Sequence, residues 1–133
     1  MEKWLDEMKN FLVSHWGLDI SFASRVGLLY AYFYFQGLNP NITSGFRDPE
    51  KQKALRDAWD SGNRAGLIRR PAETSLHSRV NGSGNPSAIA IDITTTNNEY
   101  AGQIAKYLGL GWGGDFQGNG FDPVHFYDKR GII

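Results

Sequence analysis

Ala88-Ile89-Ala90-Ile91-Asp92-Ile93 alternates without a break between branched aliphatic side chains and a series of two alanines and one acid. Neighbouring side chains of a strand point to opposite faces. Ile89, Ile91 and Ile93 are therefore expected to face a core, while Ala88, Ala90 and Asp92 share the other side. Two alanines beside one carboxylate leave room for something to approach it. Two more short strands are expected, one over residues 42–46 and one over residues 124–127.

Upstream of these segments the period is helical. Trp4, Leu5, Met8, Phe11, Leu12 and His15 fall on one side of a helical wheel that ends at Gly17. His15 has no ligand-type residue three or four positions away, so it is assigned to packing or to the surface. Ser21 is placed to cap a second helix that runs to about residue 36 and is closed by Gly37. Its expected buried stripe is Phe22, Val26, Leu29, Tyr30 and Phe33. Asp48-Pro49-Glu50 combines an N-cap, a proline at the first helical position and an acid in the first turn. That third helix should turn Leu55, Ala58 and Trp59 inward and end near Gly62. A fourth, over residues 99–108, should direct Ile104, Tyr107 and Leu108 inward.

Between the third and fourth helices the signals are weaker. Arg69-Arg70-Pro71 is a small basic spot expected to be solvated. Residues 74–80 fit a strand with Ser75, His77 and Arg79 on one face. Residues 78–87 have the composition of a loop. Further on, Gly109, Gly111, Gly113 and Gly114 surround Trp112, so the backbone there must run close to a neighbour.

The bulk numbers narrow the field. A chain of 133 residues, 41% hydrophobic and 14% aromatic, can bury a core. One domain over 1–133 is expected, with a helical part over 1–41 and a chemical core over 42–127. Lys+Arg and Asp+Glu each total 14, which leaves no basic field for nucleic acid. Cysteine is absent, which excludes disulfides and thiolate metal sites. The first residues are acidic where a signal peptide would be basic. Residues 26–35 are too few to span a bilayer. The expectation is a monomer made in the cytoplasm, with no stable membrane insertion.

The chemistry is concentrated in three short pieces: Ser75-Leu76-His77, the strand ending in Asp92, and Asp122-Pro123-Val124-His125. They supply two imidazoles and two carboxylates. A hydrolytic zinc centre takes three protein ligands and keeps one position for water, so two His and one Asp fill it and one Asp remains to handle protons. Pro123 can swing Asp122 toward the side His125 faces. Arg47, with Gln52 behind it, sits at a strand-to-helix junction where its fork can hold a carbonyl or carboxylate. The competing reading has two core histidines, two turn aspartates and an arginine paired with Asp48 or Glu50. Spacing alone leaves both open.

These same blocks resemble a known family. Ser75-x-His77, Ala88-x-Ala90-x-Asp92 and Asp122-x-x-His125 are similar to the zinc motifs of the D-alanyl-D-alanine carboxypeptidase and L-alanyl-D-glutamate endopeptidase family, which includes VanY-type peptidases and phage endolysins. Ser44-Gly45-Phe46-Arg47 resembles its Ser-Gly-Tyr-Arg motif. Gly111-Trp112-Gly113-Gly114-Asp115-Phe116, running into residues 121–126, is similar to the C-terminal block of its endopeptidase branch. Two departures stand out: Ala88 replaces a customary glycine, and residues 78–87 look like an insertion between the first two ligands.

The resemblance implies an α+β fold with a small antiparallel sheet packed against N-terminal helices and carrying the zinc. It implies His77, Asp92 and His125 as metal ligands, Asp122 as catalytic base and Arg47 as a group that stabilises substrate. Gln52, Arg79 and Trp112 are expected at the substrate. By its Gly/Ser/Asn composition, the loop over residues 78–87 is read either as a lid that carries Arg79 over the cleft or as an insertion that lets Asp92 drift from a coordinating position. The implied partner is the stem peptide of bacterial peptidoglycan, and the implied reaction is hydrolysis of its L-Ala–D-Glu bond. A phage-type lysin of this kind reaches the wall through a holin or as part of a virion. The alternatives are a D-Ala–D-Ala carboxypeptidase or dipeptidase using the same residues, and a non-catalytic zinc or peptidoglycan-binding domain.

Overall fold

A computed structural model describes residues 2–64 and 75–132. The Arg69-Arg70-Pro71 spot and the first residue of the strand expected over 74–80 lie outside the described residues. The elements run α1 (Glu2–Trp16), α2 (Ile20–Phe35), β1 (Asn41–Ser44), α3 (Pro49–Asp60), β2 (Ala90–Thr94), α4 (Asn98–Tyr107), β3 (Gly111–Trp112) and β4 (His125–Tyr127), with short 3-10 turns between. The fold is α+β, as expected.

The sheet is antiparallel in the order β1-β2-β4-β3. β2 is therefore internal, and both of its faces are covered. Ile91 and Ile93 are fully buried, and Ala90 and Asp92 on the other face are buried as well. The register sets Asp92 directly opposite His125 on β4 and opposite Ser44 on β1. β3 spans only two residues, too few for any alternation to announce it in the sequence.

α2 is the central helix. Phe22, Val26, Leu29 and Phe33 are fully buried, and Phe33 meets Phe126 of β4 with ring centroids 5.6 Å apart. Burying each such side chain contributes about 1.5–3 kcal/mol. The cap is Asp19 rather than Ser21: its carboxylate accepts the Phe22 N–H at 3.0 Å. Arg25, on the flank of that buried stripe, donates to the Leu108 and Gly109 carbonyls just beyond α4. A cation at a helix C-terminus satisfies acceptors that the helix leaves over.

Several side chains differ from the sequence reading. α3 begins where Asp48-Pro49 places it, and Asp48 caps it through the Glu50 N–H. Its one buried residue is Gln52, however, and Leu55 is 44% exposed. Ala58 and Trp59 are half-buried, so among the described residues the apolar stripe of α3 is only partly covered. Tyr107 is 85% exposed rather than inward, since α4 buries its alanines and Gly102 instead. Residues 76–78 form a 3-10 turn, not a strand. The Ser75 hydroxyl accepts the His77 N–H at 3.1 Å, a local bond that competes with sheet pairing. No helix among the described residues is long and apolar enough to cross a membrane.

Candidate metal centre

His77 is carried by the 3-10 turn, Asp92 by β2 and His125 by β4. The structure brings the three together, with His77 and Asp92 buried and His125 half-buried. His77 Nε2 and His125 Nδ1 are 3.3 Å apart. Asp92 Oδ1 lies 3.3 Å from each of them. Three donor atoms thus form a nearly equilateral triangle.

The protonation pattern follows from the neighbours. His77 Nδ1 is 2.8 Å from the Gly45 carbonyl oxygen, which can only accept. The proton of a neutral His77 therefore sits on Nδ1, and Nε2 presents a lone pair to the triangle. The Asp92 oxygen facing it is also an acceptor. Two lone pairs opposed at this distance call for a cation between them, either a proton on the imidazole or a metal. Burial by itself would raise the Asp92 carboxyl. The hydrogen bonds and charges of His125 and His77 outweigh that and hold it well below the usual carboxylate range.

The size of the triangle also fits. Donors at about 2.0–2.1 Å from a tetrahedral zinc lie about 3.3–3.4 Å from one another. Two imidazole nitrogens and one carboxylate oxygen suit that ion, and three ligands leave a fourth vertex. The cluster can hold a metal ion.

The surroundings orient the donors. Arg47 Nη2 donates to Asp92 Oδ2 at 2.8 Å, which leaves Oδ1 for the triangle. Arg47 Nε donates to Ser44 Oγ at 3.0 Å, and its main-chain N–H donates to the His77 carbonyl at 2.8 Å. Arg47 is thus paired with Asp92 and not with Asp48 or Glu50. The His125 ring meets Tyr127 and Phe116, with centroids 5.4 Å and 5.9 Å away, and those two rings stack on each other at 5.5 Å. Ser44, Gly45, Phe116 and Tyr127 were not singled out from the sequence as parts of the site. The first two stand in the Ser-Gly-Phe-Arg block that ends at Arg47, and Phe116 closes the Gly111–Phe116 block, whereas Tyr127 gives no signal beyond its place in the last strand.

Asp122 stands at the start of a hydrogen-bonded turn. Its carbonyl accepts the His125 N–H at 3.1 Å, and its own N–H donates to the Gly113 carbonyl at 2.9 Å. Proline at the second position suits such a turn. The turn brings the main chain of Asp122 back to that of His125, a tighter route than a break before an extended strand. Gly113 is what admits it: a Cβ there would overlap the Asp122 carbonyl oxygen and lie 2.9 Å from His125 Cβ. Gly113→Ala is expected to lower stability by about 1–3 kcal/mol through overpacking and to weaken metal binding. Thermal unfolding and metal titration check both; unchanged values would show that the turn has slack.

The remaining expected site residues are not among the three donors. Gln52 is buried on the first turn of α3. Trp112 is buried and donates its indole N–H to the Pro123 carbonyl at 2.8 Å, bracing the turn that holds Asp122. Arg79 donates to the Ser87 carbonyl and hydroxyl at 3.0 Å and pairs with Asp19 at 3.5 Å. Its guanidinium is tied to the N-cap of α2, and the structure does not bring it to the three donors. The loop it begins closes on itself through a bridge between Val80 and Pro86.

Compared with solved structures, the chain is similar to the crystal structure of the Serratia marcescens L-Ala D-Glu endopeptidase ChiX. The likeness has a TM-score of 0.56 at 15% sequence identity, covering 99% of this chain and 91% of the other. At that identity the likeness is one of fold. No family model matches the sequence, and no curated protein matches it.

Proposed function

We propose that this protein is a zinc-dependent peptidase of bacterial peptidoglycan that hydrolyses the L-Ala–D-Glu bond of the stem peptide. The observation that carries the reading is the triangle of His77 Nε2, Asp92 Oδ1 and His125 Nδ1, each pair 3.3 Å apart. The motif resemblance and the fold of the Serratia endopeptidase support the substrate class. Held by those three atoms, zinc would supply Lewis acidity, making a water more acidic and polarising the scissile carbonyl.

The chain's own groups do the rest. Asp122 takes a proton from the attacking water as its oxygen bonds to the carbonyl carbon. Asp122 then returns that proton to the amine as the C–N bond breaks. Arg47 keeps Asp92 turned to the metal with one arm of its fork, Ser44 takes its Nε–H, and the other arm is offered to a substrate carbonyl or carboxylate. Gln52 and Trp112 hold the walls behind these groups. Arg79 keeps residues 78–87 beside the site. The protein would act as a lysin of phage type, on the wall rather than in the cytoplasm.

Incubating zinc-loaded protein with purified peptidoglycan tests this, with new termini identified by mass spectrometry. New amino-terminal D-Glu is the expected product. Free D-Ala instead would move the reading to a carboxypeptidase. Absence of any new terminus, with zinc bound, would leave a non-catalytic domain.

A further inference from the structure

The sequence placed Tyr107 in the core, and its exposure leads to a second site. We infer that the trough between the last turn of α2 and the outer face of α4 binds an uncharged chain of amino sugars. Tyr32 and Gln36 form one wall and Tyr100, Gln103, Ile104 and Tyr107 the other, around a cavity of about 270 Å³. None of these residues belongs to the metal centre. Tyr32 and Gln36 are four apart, as are Gln103 and Tyr107, so each helix contributes neighbouring positions on one flank. Singly exposed aromatics need no explanation, but three phenols gathered around one concavity do.

The chemistry of the lining selects the ligand. None of the six side chains is charged at neutral pH, which offers nothing to a phosphate, a nucleic acid or an acidic peptide. The rings present flat apolar faces edged with hydroxyls, and Gln36 and Gln103 add amides. Tyr100 Oη donates to Gln36 Oε1 at 3.0 Å, which fixes that amide and leaves its N–H groups for a ligand. A pyranose ring is the complement, with a C–H face to stack on tyrosine and hydroxyl and N-acetyl groups to meet phenols and amides. Neutral lining and neutral polyol match in charge as well as in shape.

Which sugar it is rests on the peptidase reading. A stem peptide hangs from a polymer of β-1,4-linked N-acetylated amino sugars. A glycan site on the same chain would hold the protein to that polymer while the peptide is cut.

The probe is the β-1,4-linked tetramer of N-acetylglucosamine, titrated by calorimetry into the zinc-loaded protein and into Tyr100→Ala and Tyr107→Ala. The wild type is expected to bind, and each variant to bind about tenfold more weakly. Both variants should cleave a soluble stem peptide at the wild-type rate, cleave intact peptidoglycan more slowly, and unfold at the same temperature. No binding by the wild type, or equal binding by the variants, overturns the inference. So does Tyr107→Ala abolishing self-association with no effect on tetramer binding. Tetramer binding without peptide cleavage keeps the glycan site and removes the peptidase reading. Cleavage without tetramer binding does the reverse.

Discussion

His77→Ala is expected to lose zinc and hydrolysis together, with peptide release falling to the level of the buffer. The reasoning begins with the donor set. Without His77 Nε2, only Asp92 Oδ1 and His125 Nδ1 remain, and two donors do not hold zinc against water at ordinary concentrations. The substitution also leaves the Gly45 carbonyl, now partnered by His77 Nδ1 at 2.8 Å, without that partner in a buried place. An orphaned buried acceptor costs about 1–3 kcal/mol. Some loss of thermal stability is therefore expected even in metal-free protein. To separate folding from ligation, His125→Ala serves as a second variant, since that ring is only half-buried. Metal content by mass spectrometry and peptide release by chromatography read the two effects. A folded His77→Ala protein that retains stoichiometric zinc would refute the proposed centre.

Asp122→Asn is expected to do the opposite to the two readouts. Zinc content should stay at the wild-type level, while kcat falls by about 10²–10⁴, the range for loss of a general base. Asparagine keeps the shape of the side chain and leaves the turn to His125, which is made by main-chain atoms, untouched. What it removes is a proton acceptor. The effect should appear in kcat with little change in KM, because the group acts on the reacting water and not on the bound peptide. A fall of less than about tenfold would move the base elsewhere.

The three donors were legible because each sits in a local pattern with a chemical reading. Asp92 lies on an alternating strand, His77 stands two residues after a serine, and His125 follows a proline turn. Their meeting was not derivable from spacing, since it depends on β2 lying between β1 and β4, a pairing made across long stretches of chain. The end of α1 and the start of α3 followed from glycine, proline and capping chemistry. The inward faces of α3 and α4 did not follow. Whether Leu55 or Tyr107 is covered depends on what happens to pack there, and a helical period carries no information about its partner. The Asp92 pairing of Arg47 was hidden for the same reason: the carboxylate that won lies 45 residues away rather than one or three.

The Gly45 carbonyl that fixes the His77 tautomer belongs to the main chain, and no change of codon can delete it. Efforts to retune ion preference by swapping outer partners will find no lever behind His77. The adjustable member is the guanidinium behind Asp92, where lysine or glutamine in place of Arg47 would change the charge or the reach of a single contact. Designers should begin there.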